Sequence, residues 1–203
     1  MYCYPVMKKS IIIACISILS VSSYGQLQAD LNSLNRTKNK ITRTGMVVLG
    51  SWAAANLVYS GIATGQTSGT TKYFHQMNVM WGGINLGLAA LGYMGTKNKD
   101  GLTLSQTLKK MAGVEKTYLF NFGLDAAYVA SGFYLKERSK NTVKNAQKFK
   151  GYGESIIVQG AALFVLDGVM FALHNNNSKK LHKLMDKTQV GITGNGIGVI
   201  VKL

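Results

Sequence analysis

Residues 117–135 read TYLFNFGLDAAYVASGFYL, nineteen positions between Lys116 and Lys136 with one formal charge, Asp125, near the middle. As a helix rising about 1.5 Å per residue, the stretch approaches the roughly 30 Å thickness of a bilayer's hydrocarbon core. An ionisable side chain at that depth is unfavourable unless it faces protein, water or a partner. Residues 44–64, 77–95 and 155–174 are of similar length and carry Asn56, Asn85 and Asp167 at comparable depth. The pattern predicts an all-α protein, a four-helix transmembrane bundle over residues 44–174 whose polar side chains turn inward, because lipid offers them no hydrogen bonds.

The rest of the chain bears on where such a bundle would sit. Its 203 residues carry 23 Lys and Arg against 8 Asp and Glu, a net charge of +15. That excess suits anionic lipid head groups. With no zinc-finger spacing, RNP motif or basic–aromatic platform, nucleic acid is not an expected partner. Residues 1–25 have the form of a signal peptide: Lys8 and Lys9, an apolar run from Ile11 to Val21, and Ser23-Tyr24-Gly25 before Gln26. The alternative, a lipobox at Cys15, has too short an apolar run before the cysteine. Cys3 and Cys15 both fall in the removed segment, which leaves no disulfide, thiolate or Cys-ligated metal. The expected location is a bacterial cell envelope, with the chain multi-pass in the inner membrane. A cleaved signal would, however, put most basic segments outside, against the usual positive-inside bias.

Residues 26–43 place Leu27, Leu31, Leu34 and Ile41 on one helical face. That face either docks on protein or lies on anionic lipid. Arg36, Lys38, Lys40 and Arg43 beside the first span favour the second, an interfacial helix. Gly83 and Gly87, four apart, are the expected points of close helix approach. Trp52-Ala-Ala-Ala-Asn56-Leu57 matches Trp81-Gly-Gly-Ile-Asn85-Leu86, and Leu124-Asp125 matches Leu166-Asp167, a short internal similarity. Leu104, Leu108 and Met111 mark a short amphipathic helix capped by Thr103. The basic stretch after residue 135 continues the third helix until Gly151 and Gly153 break it. Asn175-Asn176-Asn177 is expected to stop the fourth. Residues 175–203 then form a basic tail with a β-hairpin, Val190 and Ile192 alternating against Ile197, Val199, Val201 and Leu203 across a Gly-Asn-Gly turn. Two strands alone are marginal in water, so the hairpin should dock on the helices or pair with another chain.

At a period of 3.6 residues the polar residues fall on stripes: Trp52, Asn56 and Tyr59; Asn78, Trp81 and Asn85; Asn121, Asp125 and Tyr128; Asp167 and His174. The candidate binding set is Asn56, Asn85, Asn121, Asp125, Asp167 and His174. Two carboxylates in one low-dielectric layer should not both ionise. The layer either fixes helix register or forms a protonation-linked site that binds or passes a small solute or cation. No HExxH, GxSxG or comparable motif is present, so no catalytic residue, cofactor or metal is expected, and the chain does not read as an enzyme. His75, His174 and His182 are expected near helix ends rather than as ligands.

Together, the export-like start, the four spans bearing Asn56, Asn85, Asp125 and Asp167, and the Gly-rich closing strand resemble a family of small bacterial membrane proteins of unknown function, over roughly Arg43 to the C terminus. The resemblance implies a domain without assigned activity. The expected role is structural or in interactions, with a homo-oligomer or another envelope protein as partner. The alternative is binding or transport of a solute or proton by the paired Asp125 and Asp167.

Overall fold

After Pro5 the sequence holds no proline, and nothing cuts its helices to the length of the spans. The computed structural model describes residues 4–97, 99–193 and 196–201, with side chains at 25–97 and 99–186. Four helices run up and down: α1 (Tyr4–Gln66), α2 (Gly69–Gly95), α3 (Leu104–Arg138) and α4 (Ala146–Lys187). A capping box starts α3 as expected: Gln106 N donates to Thr103 Oγ1 (3.2 Å) and Thr103 N to Gln106 Oε1 (3.1 Å). Between α3 and α4 the chain turns through a 3₁₀ turn, Ser139–Asn141, and through Asn145, left-handed at φ 68°. α1 packs along α2, α2 along α4, and α4 along α3. Beyond α4 the backbone of β1 (Thr188–Thr193) pairs antiparallel with β2 (Gly196–Val201). The side chains of this hairpin, like those of the signal-like segment up to residue 24, lie outside the described residues. The fold is defined by its helices.

Two expected boundaries are corrected. Residues 26–43 and 44–64 are one continuous helix, not an interfacial helix followed by a span. α4 runs through Asn175–Asn177, so residues 175–187 extend the helix instead of starting a tail. The reason is tertiary. In an up-and-down bundle residues 27–35 of α1, the start of α3 and the end of α4 lie side by side, where their Leu stripes cover each other. Leu31, Met111 and Leu181, each no more than 3% exposed, form that core, with Leu27, Leu34, Leu104, Leu108 and Leu184 packed around it. Asn35 Nδ2 donates to Thr107 Oγ1 (2.8 Å), and Asn177 Nδ2 to the Leu34 carbonyl (3.1 Å). The Leu face expected to lie on lipid is therefore docked on protein.

The glycine assignments are corrected as well. Gly83 and Gly87 face open space. Gly151 and Gly153, expected to break a helix, lie inside α4 at its crossings. A Cβ on Gly153 would sit 2.6 Å from the Gly132 carbonyl oxygen, and one on Gly132 2.7 Å from that of Gly153. A Cβ on Gly151 would collide with the Thr70 carbonyl of α2. These are the places where backbones meet most closely.

The distribution of side chains is inverted relative to a water-soluble bundle. Val58, Ile62, Met80, Leu91, Phe120, Phe133, Val165 and Val169 are all more than half exposed, whereas Asn78, Asn85, Asp125, Ser155, Gln159, Asp167 and His174 are buried. Two of the helical stretches, Gly25–Gln66 and Ala146–Asp186, are long and apolar enough to cross a membrane.

Candidate functional site

The polar residues expected in one mid-depth layer form a column with three levels. Farthest from the Leu31–Met111–Leu181 core, Gln159 of α4 is the hub. Its Nε2 donates to Asn56 Oδ1 (2.9 Å) and Asn78 Oδ1 (2.8 Å), and its Oε1 accepts from Trp52 Nε1 (3.0 Å). Ser155 Oγ adds a bond to Asn78 Oδ1 (2.7 Å). His75 lies at the same end, in the second turn of α2, buried against Ser60 Oγ at 3.2 Å. At the opposite level, the buried His174 stacks on Tyr118 (centroids 5.3 Å apart), and its Nε2 lies 3.2 Å from Thr42 Oγ1. His174 is thus apart from the two carboxylates with which it was grouped.

Asn85, Asn121, Asp125 and Asp167 come together at the middle level, around a cleft of about 660 Å³. Thr42, Met46 and Leu49 of α1 and Trp81, Asn85 and Leu88 of α2 make one wall. Tyr118, Asn121, Asp125 and Tyr128 of α3 make the other, and Leu163 and Asp167 of α4 form the back. The cleft exists because α3 is held by α4, while α1 and α2 are held to each other. The Trp81 and Tyr128 rings meet edge to face at 5.0 Å and close its deep end. Lys109 and Lys110 line the other end, and the half-exposed Ile84 and Leu88 mark its open flank. Lys38 stands nearby: burial, and then the charge of Lys110, hold its ammonium group below the ordinary lysine value.

Asn121 of α3 and Asp167 of α4 line the cleft together. Three other groups at this level have no partner: Trp81 Nε1, Asn85 Nδ2 and Asp125 Oδ2 are buried without a hydrogen bond, and all three residues line the cleft. Asn85 is 2% and Asp125 3% exposed. A buried, unbonded polar atom is unfavourable by about 1–3 kcal/mol. Three of the seven such atoms among the described residues line this cleft, the others being Asn35 Oδ1, Glu115 Oε1, Asn177 Oδ1 and Ser178 Oγ toward the Leu31–Met111–Leu181 end. Among the described residues, no group of three His, Cys, Asp or Glu could hold a metal ion.

Gln159 and Ser155 were missed in the sequence. The signal was there, since residues 155, 159, 167 and 174 lie on one stripe at helical spacing. An uncharged Gln in an apolar run simply stands out less than an Asp.

A helical bundle with polar groups inside, apolar groups outside and a cleft between its helix pairs defines the class of protein. The chain belongs to a family of unknown function (DUF6992), whose model matches residues 48–168. The match takes in every residue of the candidate set except His174. No curated protein matches the chain, and no solved structure does.

Proposed function

We propose that the chain is a multi-pass membrane protein, all four helices crossing together, that binds a small solute in the cleft between α2 and α3. The observation that carries the solute reading is the set of unpartnered buried groups, Trp81 Nε1, Asn85 Nδ2 and Asp125 Oδ2, on one cavity. A layer that only fixed helix register would have its hydrogen bonds closed internally, as the Gln159 network does. The crossing of all four helices is supported by the apolar exterior: side chains such as Val58, Leu91, Phe120 and Val165 would otherwise stand in water. A removed signal peptide at residues 1–25, an envelope location and anionic lipid around the basic ends complete the reading, and no catalytic step is proposed.

A structural or interaction role is the second reading. It is favoured by the Gln159 hub, whose bonds tie α1, α2 and α4 together without any ligand.

Single cysteines test the topology, with Cys3 and Cys15 replaced by Ala. Residues Ser68 and Ser139 lie in the two links at one end, while Ser105 and Lys180 lie at the other. A membrane-impermeant maleimide should label the first pair from one side and the second pair only from the other. Labelling of all four from a single side would rule out the crossing.

A further inference from the structure

The walls of the cleft also limit what can occupy it. At the depth of Asp125 no basic side chain is available, because residues 44–64, 77–95, 117–135 and 155–174 contain no Lys or Arg. At the other end, Lys109 and Lys110 line the cleft with Lys38 beside them, and no acidic residue joins them in that lining. A cation approaching past the lysines is repelled, and an anion reaching the bottom meets Asp125 and Asp167. The open flank, bordered by Ile84, Leu88 and Leu124, is apolar. Charged solutes are disfavoured on that route too.

The unpartnered atoms define the complementary head group. Trp81 Nε1 and Asn85 Nδ2 are donors, so they call for an acceptor; Asp125 Oδ2 can accept from a donor. Trp81 and Asn85 are one turn apart on α2, while Asp125 and Tyr128 are one turn apart on α3. The Trp81–Tyr128 ring contact holds the two turns face to face. A hydroxyl satisfies both demands at once, since its oxygen accepts and its hydrogen donates. The aromatic rings of Trp81, Tyr128 and Tyr118 offer faces and edges to a flat apolar body. At about 660 Å³ the cleft is in the range of ordinary small-molecule sites.

We propose that the cleft takes a neutral, lipid-soluble molecule with a hydroxyl-bearing aromatic ring, admitted sideways from the bilayer and held by Trp81, Asn85 and Asp125. The proposal rests on the solute-binding reading above and specifies its ligand class.

Equilibrium dialysis of the full chain in lipid nanodiscs tests it, with empty nanodiscs subtracted for partitioning. Naphthol, naphthylmethylammonium and naphthoate serve as neutral, cationic and anionic probes of one size. The expected result is saturable naphthol binding at least about tenfold tighter than that of either charged probe. Asn85→Leu should weaken it about tenfold. Ile84→Trp, at a half-exposed position where the fold is not at risk, should abolish it by filling the cleft. Tighter binding of naphthylmethylammonium would overturn the ligand class and leave the solute reading standing. Naphthol binding unchanged in both variants would overturn the site. No saturable binding of any probe by folded protein would overturn the proposal and the solute reading together.

Discussion

The Trp81 and Tyr128 rings meet edge to face, their centroids 5.0 Å apart and their planes inclined by 74°, and so tie α2 to α3 at the deep end of the cleft. Helix α2 packs on α1 and α4, and α3 on α4, so their shared neighbour α4 sets the spacing and the ring pair adds a direct tie between them. Tyr128→Ala should remove about 0.5–1.5 kcal/mol of stability and widen the cleft. A rise in collisional quenching of tryptophan by a lipid-soluble quencher would report the widening, and unchanged quenching would assign the closure to other contacts.

The α3–α4 crossing depends on two missing side chains. Gly153→Ala places a methyl group 2.6 Å from the Gly132 carbonyl oxygen, where only backbone movement relieves the clash. We expect a loss of about 1–3 kcal/mol in a denaturation series in detergent micelles. Gly83→Ala, which meets nothing within 4 Å, should be neutral or slightly stabilising. The reverse order would move the close approach back to the pair marked by the sequence.

That contrast shows what was legible in the sequence and what was not. The four apolar segments and the inward turn of Asn85, Asp125 and Asp167 follow from composition and a 3.6-residue period, which are local properties. Thr103 was recognisable as a cap for the same reason, its partner Gln106 being three residues away. Which glycine meets which backbone depends on helix rotation and tilt, and a four-residue spacing does not encode them. Leu31 and Leu181 are 150 residues apart. The Leu31 stripe resembled a lipid-facing surface until the up-and-down order brought it against Leu181 at one end. His174 shared a stripe with Asp167, but seven residues of helix, roughly 10 Å, separate the two, and His174 sits behind the cleft-lining Thr42 and Tyr118 instead of lining the cleft itself.

Gln159 donates two hydrogen bonds and accepts a third, tying α4 to α1 and α2. At about 0.6 kcal/mol for each interhelical bond in a membrane, Gln159→Leu should lower stability by roughly 2 kcal/mol. Of the remaining partners, Asn78 Oδ1 keeps its bond from Ser155 Oγ at 2.7 Å. A loss near zero in the same denaturation assay would show that the network only follows the packing.

Lys38 is half-buried beside Lys110, and its pKa is lowered, first by burial and then by that neighbour. A lysine whose folded pKa lies below its unfolded value opposes folding wherever both states are protonated, which includes neutral pH. Stability then climbs as pH rises through the folded value toward the unfolded one, about 10.4. Lys38→Met should therefore raise the melting temperature at neutral pH, by an advantage that shrinks toward pH of about 10. A lower melting temperature for the variant at neutral pH would mean that the ammonium group has a stabilising partner.

The account depends most on the apolar flanks of all four helices facing lipid. Nitroxide labels at Val58, Leu86, Ala127 and Val165 sample one exposed flank position on each helix, Val165 being 65% exposed. In reconstituted bilayers, oxygen concentrates in the hydrocarbon and a neutral nickel chelate stays in water, so their relative effects on spin relaxation report the surroundings of each label. The prediction is that oxygen dominates at all four sites and the nickel chelate dominates at a control label on Lys183. Dominant nickel relaxation at Leu86 or Ala127 would place α2 or α3 in water and contradict a bundle that crosses the membrane as one.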